Sequence, residues 1–201
     1  MVKVAIFDYG AGNIFSLKSS LEKNGAQVDV ITSLTHSNSY SGLLLPGVGN
    51  FDPAIRSLNS SKKAFIDLVK NQIPVLGICL GMEMFFEKSE EGKESGLEVL
   101  EGEVILLPNK FKIPHMGWND LRIKKPSKLL EGVTGGSWVY FVHSYRAKPE
   151  NPDIVKADSD YGRSVPAVIE RGPLFGTQFH PEKSGKVGSI MIKNFLRECK
   201  K

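Results

Sequence analysis

The stretch Pro74-Val-Leu-Gly-Ile-Cys-Leu-Gly-Met-Glu-Met-Phe-Phe86 constrains the fold more than any other in the chain. An apolar run ends in Gly77-Ile78-Cys79-Leu80-Gly81, and the residues beyond it read as a helix. A buried strand that turns sharply into a helix needs glycines beside the turn, because side chains there would strike the adjoining backbone. The apex residue is then pushed out of the sheet, and here it is a cysteine. At a helix N-terminus its thiol would feel the positive end of the helix dipole, which lowers the expected pKa from about 8.5 toward neutrality. The competing account makes Cys79 a small apolar residue that ends a buried strand. A base, a group to orient it and an oxyanion site elsewhere in the chain decide between the two.

Strand and helix signals alternate around that stretch. Val2–Phe7 is apolar and rich in β-branched residues, and the turn 8–13 follows it. Ile14, Leu17 and Leu21 then recur at helical spacing up to Gly25, which fits a helix-ending glycine. Residues 28–31 and 43–45 read as further strands, and 52–71 as helix in two pieces, with Phe65, Leu68 and Val69 on an apolar face. Repeated β-α units predict an α/β fold: a mostly parallel central sheet with flanking helices, whose ligands lie at the carboxyl ends of the strands. The second half is strand-rich, with candidates at 103–107, 120–124, 138–142, 154–157, 165–170 and 174–179, the last two joined by a hairpin-like turn at Arg171-Gly172-Pro173. A closing helix carries Ile192, Phe195, Leu196 and Cys199 on one face. With no repeat, linker or low-complexity tract, a single domain over 1–201 is expected.

Charge and composition exclude several classes. The net charge of +4 comes from scattered lysines, while residues 87–103 hold seven glutamates against two lysines. Aromatic residues do not interleave with a basic stripe, so nucleic acid is not the expected partner. No run approaches the ~20 apolar residues of a membrane span, and with the first strand starting at Val2 no signal peptide is expected. Two cysteines, at 79 and 199, suggest neither a disulfide framework nor a zinc site. A reducing cytoplasm is the expected compartment. Gly10-Ala11-Gly12-Asn13 resembles a dinucleotide loop, but the third glycine position holds Phe15, so a tight turn that places Asn13 at the sheet edge is the better account.

His180 is the candidate base. It follows the apolar strand 174–179, and the carboxyl end of a strand is where the Cys79 turn also opens. Glu182 lies two residues on, so in extended backbone both side chains point the same way, with Pro181 restricting the chain between them. A carboxylate on one ring nitrogen fixes the tautomer and leaves the other nitrogen to take the thiol proton. His143 is the rival, but it sits in an alternating strand with no carboxylate nearby and reads as a packed or interface histidine. His115 is expected in a loop after Pro114, and His36 in a serine-rich loop. Oxyanion donors are expected from the Leu80 N–H and from Pro46-Gly47-Val48-Gly49, where two glycines allow a peptide N–H to turn into the site.

Gly77-Ile-Cys-Leu-Gly81 together with Gly176-Thr-Gln-Phe-His-Pro-Glu182 resembles the class I, triad-type glutamine amidotransferases. Phe7-Asp-Tyr-Gly-Ala-Gly-Asn13, Pro114-His-Met-Gly-Trp-Asn119 and Tyr140-Phe-Val-His-Ser-Tyr145 narrow the likeness to the glutaminase subunits of imidazole glycerol phosphate synthases. The resemblance runs from about residue 3 to the C-terminus. It implies that Cys79 attacks the side-chain amide of glutamine, that His180 protonates the leaving ammonia, and that Glu182 orients the histidine. It implies an oxyanion hole at Val48 and Leu80, substrate contacts at Gly47, Gly49, Glu83, Glu91, Ser144 and Tyr145, and no cofactor or metal. The implied partner is a (β/α)₈ cyclase subunit, which forms a heterodimer with the chain and consumes the ammonia in histidine biosynthesis. Its contacts would fall on Asn13, Pro114, Met116, Trp118, Tyr140 and Lys183. Burial within the fold is the other account of Trp118.

One residue departs from the family. Most members carry glutamine where this chain has Glu83. A carboxylate there would accept from the substrate's α-ammonium and repel its α-carboxylate. Two alternatives stand beside the resemblance. A cysteine hydrolase acting alone is disfavoured by the segments 114–119 and 140–145, and an inactive scaffold by the intact Cys79, His180 and Glu182.

Overall fold

The computed structural model describes residues 1–10, 12–34 and 39–200, so His36 and Ala11 lie outside the described residues. Strand β1 (Val2–Phe7) runs into helix α1 (Ile14–Lys23), which Asn13 caps by accepting the Ser16 N–H at 3.2 Å. Gly25, at φ 88°, ends that helix and releases the chain into β2 (Ala26–Ile31). Strand β3 (Gly42–Leu45), helices α2 (Phe51–Leu58) and α3 (Lys62–Lys70), and strand β4 (Val75–Ile78) follow. The helix expected after Cys79 is a single turn, α4 (Leu80–Glu83). Met84, Phe85 and Phe86 beyond it are wholly buried, so the apolar run there fills core and does not extend a helix.

The second half holds β5 (Lys88–Ser89), β6 (Gly102–Leu106), β7 (His115–Asp120), β8 (Arg122–Ile123), β9 (Trp138–His143) and β10 (Tyr145–Pro149). It closes with β11 (Val155–Asp160), β12 (Ser164–Arg171), β13 (Leu174–Thr177) and helix α5 (Gly185–Glu198). Eight strands form one sheet in the order β2-β1-β3-β4-β13-β12-β11-β8. Its first five strands are parallel, and the last three turn it antiparallel. Two small sheets, β10-β6-β5 and β7-β9, stand beside it. The parallel α/β expectation therefore holds for the first half and for β13, and the hairpin at Gly172 joins β12 to β13. Residue 115 is the first residue of β7, paired with His143, not part of a loop. No helix among the described residues is long and apolar enough to cross a membrane.

Alternation along the parallel strands divides the core in two. Val4, Ile6, Leu44, Leu76 and Ile78 point to one face, where Leu17, Leu21, Ile192 and Phe195 cover them. Ala5, Phe7, Leu43, Leu45 and Val75 point to the other, against Phe51, Ile55, Phe65 and Leu68. Burying each such side chain contributes about 1.5–3 kcal/mol, so these two layers fix where the carboxyl ends of β3, β4 and β13 stand.

At that edge the elbow is packed against β3. A Cβ on Gly81 would overlap the carbonyl oxygen of Leu45, and one on Gly77 would come within 2.7 Å of the Gly81 carbonyl. Gly81→Ala is therefore expected to lower unfolding stability by about 3 kcal/mol, through overpacking against a fixed strand. Urea denaturation measures this, and an unchanged midpoint would contradict the packing described.

Candidate active site

Parallel pairing of β4 with β13, Ile78 opposite Thr177, brings the two ends of the proposed machinery to one edge. The Cys79 N–H donates to the Thr177 carbonyl at 2.7 Å. Cys79 itself sits at φ 54° and ψ −111°, a left-handed conformation that costs a non-glycine residue about 1–3 kcal/mol. This is the apex conformation of a strand-to-helix elbow, and it separates the residue from an ordinary strand end. Its thiol points toward the Val142 carbonyl, 3.7 Å away, with Gln178 Nε2 at 3.8 Å.

Three groups hold His180 in place. Its N–H donates to the Tyr140 carbonyl at 2.9 Å, and its own carbonyl accepts from Ser184 Oγ at 2.7 Å. Its Nδ1 lies 2.9 Å from Glu182 Oε1. A carboxylate only accepts, so Nδ1 carries the proton and Nε2 presents its lone pair. That Nε2 is buried and has no hydrogen-bond partner among the described residues. The fold thus brings thiol, imidazole and carboxylate to one sheet edge, and no hydrogen bond joins Cys79 to His180.

Thiol acidity runs opposite to the dipole expectation. Burial pushes the Cys79 thiol well above its ordinary pKa, and Glu83 adds to this when ionised; together they outweigh the Leu80 N–H and the Gln178 amide. A one-turn helix has little dipole to offset that desolvation. The resting cysteine is a protonated thiol that needs a base.

A cavity of about 300 Å³ opens in front of the thiol. Val48, Gly49, Leu80, Glu83, Glu91, Ser144 and Tyr145, all expected at the substrate site, line it. Asn50, Pro114, Val142 and His143 complete the wall. Gly47 lies behind it, buried where a Cβ would press on Tyr9 and Leu80. His180 and Glu182 are beneath the surface and do not line the cavity. A larger depression of about 620 Å³ at the opposite edge, between Pro74 and Pro173, holds buried Cys199 with its thiol pushed up to about 12.

The sequence reading assigned no role to Gln178 and underrated the histidine pair. Gln178 is fully buried and donates from Nε2 to Glu83 Oε1 at 2.8 Å, so one amide touches both the thiol and the acid. Its position two residues before His180, on the same side of extended backbone, is the signal that could have marked it. His143 Nδ1 donates to the Tyr145 carbonyl at 2.7 Å, so its Nε2 accepts from His115 Nδ1 at 3.0 Å. Burial drops these rings to about 3 and about 4 respectively, which removes His143 as a rival base at neutral pH.

Of the residues assigned to the partner, Met116 and Trp118 are 63% and 51% exposed, which excludes burial as the account of Trp118. Trp118 faces Tyr140 across β7 and β9, ring centres 6.0 Å apart, and the Lys183 ammonium lies 5.8 Å from the Tyr140 ring centre. Asn13 is exposed beside its capped helix, while Pro114 is half-buried in the cavity wall.

An elbow cysteine in this α/β frame, with a carboxylate-bound histidine just beyond the end of the neighbouring strand β13, defines a class. The chain belongs to the glutamine amidotransferase class-I family, which matches residues 5–199. Within that class its relatives are imidazole glycerol phosphate synthase subunits named HisH. The one from Geobacillus kaustophilus is 46% identical over 202 residues, covering 96% of this chain and 95% of that one. The one from Methanocaldococcus jannaschii is 41% identical over 194 residues, covering 96% and 98%. Among solved structures, that of PurLQS from Thermotoga maritima superposes with a TM-score of 0.78 at 16% identity, over 98% of both chains, and shares the fold.

Because the resting thiol is protonated at neutral pH, iodoacetamide should label Cys79 in the isolated chain more slowly than a free cysteine at pH 7.5. The rate should still be climbing above about pH 8.5, where a free thiol has half ionised. Peptide mass mapping separates it from Cys199. Labelling faster than a free cysteine would contradict the burial argument.

Proposed function

We propose that the chain is the glutaminase subunit of an imidazole glycerol phosphate synthase, with Cys79, His180 and Glu182 as its catalytic triad. The observation that carries this reading is the free, buried Nε2 of His180, its tautomer set by Glu182, at the edge where the Cys79 elbow opens.

Glutamine enters the cavity with its side-chain amide at Cys79. His180 Nε2 takes the thiol proton as Sγ attacks the amide carbon, and the oxyanion is held by the N–H groups of Leu80 and Val48. The same proton passes to the departing nitrogen, which leaves as ammonia with a glutamyl thioester on Cys79. Water then attacks the thioester. His180 takes a proton from the water and returns it to the thiolate as glutamate forms. Glu182 keeps the imidazole oriented and stabilises its charged form throughout. Glu91, Ser144 and Tyr145, which line the cavity, would hold the main-chain groups of glutamine.

Ammonia released into neutral water becomes ammonium, which is no nucleophile. A docked (β/α)₈ cyclase that takes it directly gives it a use, and the pair would work in the cytoplasm. The face formed by exposed Met116 and Trp118 and half-buried Tyr140 is the surface offered to that partner, aromatic and apolar as interface centres are. Strand β9 ties that face to the chemistry. Its Tyr140 carbonyl accepts the His180 N–H, and its Val142 carbonyl accepts from the thiol. Docking on β9 would therefore act at once on the thiol and on the imidazole, which no hydrogen bond joins.

Ammonia release from glutamine is expected to be negligible for the chain alone and to rise steeply once the cyclase and its ribonucleotide ligand are added. High activity that ignores the cyclase would contradict the gating. Cys79→Ala should abolish glutamine-dependent turnover and leave ammonia-fed cyclisation by the complex intact; loss of both would make the cysteine structural. Trp118→Ala should weaken complex formation at least tenfold while changing the chain's own stability by no more than about 0.5 kcal/mol. A collapsed monomer would contradict the assignment of this face.

A further inference from the structure

Two acids line the cavity, Glu83 and Glu91, and among the described residues neither is paired with a cation; Glu91 is partly exposed and accepts the Phe51 N–H at 2.9 Å, whereas Glu83 is buried. Asp158 and Glu198 are as deeply buried, yet Asp158 pairs with Arg122 at 2.9 Å and Glu198 with Lys128 at 3.2 Å. Glu83 has Gln178 Nε2 at 2.8 Å and no further side-chain hydrogen bond among the described residues. The titratable groups that face it are Glu91 across the cavity, the Cys79 thiol, and the phenols of Tyr9 and Tyr145. Each is neutral or negative, so none favours a second negative charge.

We propose that Glu83 works as an uncharged carboxylic acid, with one oxygen held by Gln178 and an O–H turned to the cavity as a donor to the glutamine main-chain carboxylate, so that its ionisation closes the site. The proposal rests on the glutamine reading above. A neutral acid offers one accepting oxygen and one donating group, the complement of the side-chain amide found here in most members of the family. The carboxylate offers no donor, repels the substrate's carboxylate and raises the nearby thiol still further. Burial, with Glu91 adding to it, moves the Glu83 pKa up to about 8. The sign follows: the acid is neutral below that value, and binding is lost as pH rises through it.

The test compares the native complex with its E83Q counterpart from about pH 6 to about pH 9.5, as kcat/KM for glutamine. The ratio of native to variant should be flat below about pH 8 and then fall about tenfold per pH unit, since a glutamine side chain cannot ionise. Taking the ratio removes the ionisation of the substrate's own ammonium group. A ratio independent of pH would overturn the proposal. Infrared difference spectra of native minus E83Q chain supply a second reading that needs no turnover. A protonated-carboxyl band at pH 7 that vanishes by about pH 9.5 is expected, and its absence at pH 7 would overturn the proposal whatever the substrate. Failure of the glutaminase reading shows up differently, as no ammonia release from glutamine at any pH while the infrared band is present.

Discussion

The left-handed backbone of Cys79 is the constraint on which the site depends. A side chain at φ 54° is held there only because β4 is clamped between β3 and β13, and because α4 starts immediately beyond. Gly77 and Gly81 let the two arms of the elbow approach each other and the Leu45 carbonyl more closely than any side chain would permit. The strain, about 1–3 kcal/mol, is offset by the two apolar layers that lock the parallel strands. Moving β3 or β13 would release the elbow, so the core and the nucleophile are one mechanical unit.

The same burial that fixes the cysteine makes it a poor nucleophile at rest. Its thiol is desolvated, and the His180 imidazole, the proposed acceptor of its proton, has an unpartnered Nε2 among the described residues. A low-dielectric site raises the cost of every charge left alone and strengthens each interaction once a partner arrives. Strand β9 is where these facts meet. Its half-buried Tyr140 ring packs against the exposed Trp118, while its backbone carbonyls hold both His180 and the thiol. In the function proposed above, a neighbour docked on β9 would act on both groups at once.

What could be read from the sequence was set by range. The elbow, its flanking glycines and the His-Pro-Glu turn are local patterns whose geometry follows from a few adjacent residues, and the structure puts Cys79 and His180 at one edge as the β-α alternation required. The strand β7 was not legible because its partner β9 lies over twenty residues away and Gly117 interrupts its pattern. That omission hid the chain of hydrogen bonds from His115 through His143 to Tyr145. Residues 84–86 looked helical because buried apolar side chains do not reveal their backbone. The dipole expectation for the thiol failed for the same reason, since helix length and burial are properties of the assembled fold. Glu83 was readable as a residue but not as a charge, because its protonation state depends first on burial in the assembled fold and then on Gln178, 95 positions away.

In the proposed mechanism Cys79 carries the glutamyl group during turnover. Acid quenching of the cyclase complex while it consumes glutamine, followed by peptide mass mapping, tests it directly. A glutamyl adduct confined to the peptide that contains Cys79, and absent when His180 is replaced by alanine, is the result expected. Turnover with no adduct on that peptide, or an adduct on Cys199, would contradict it.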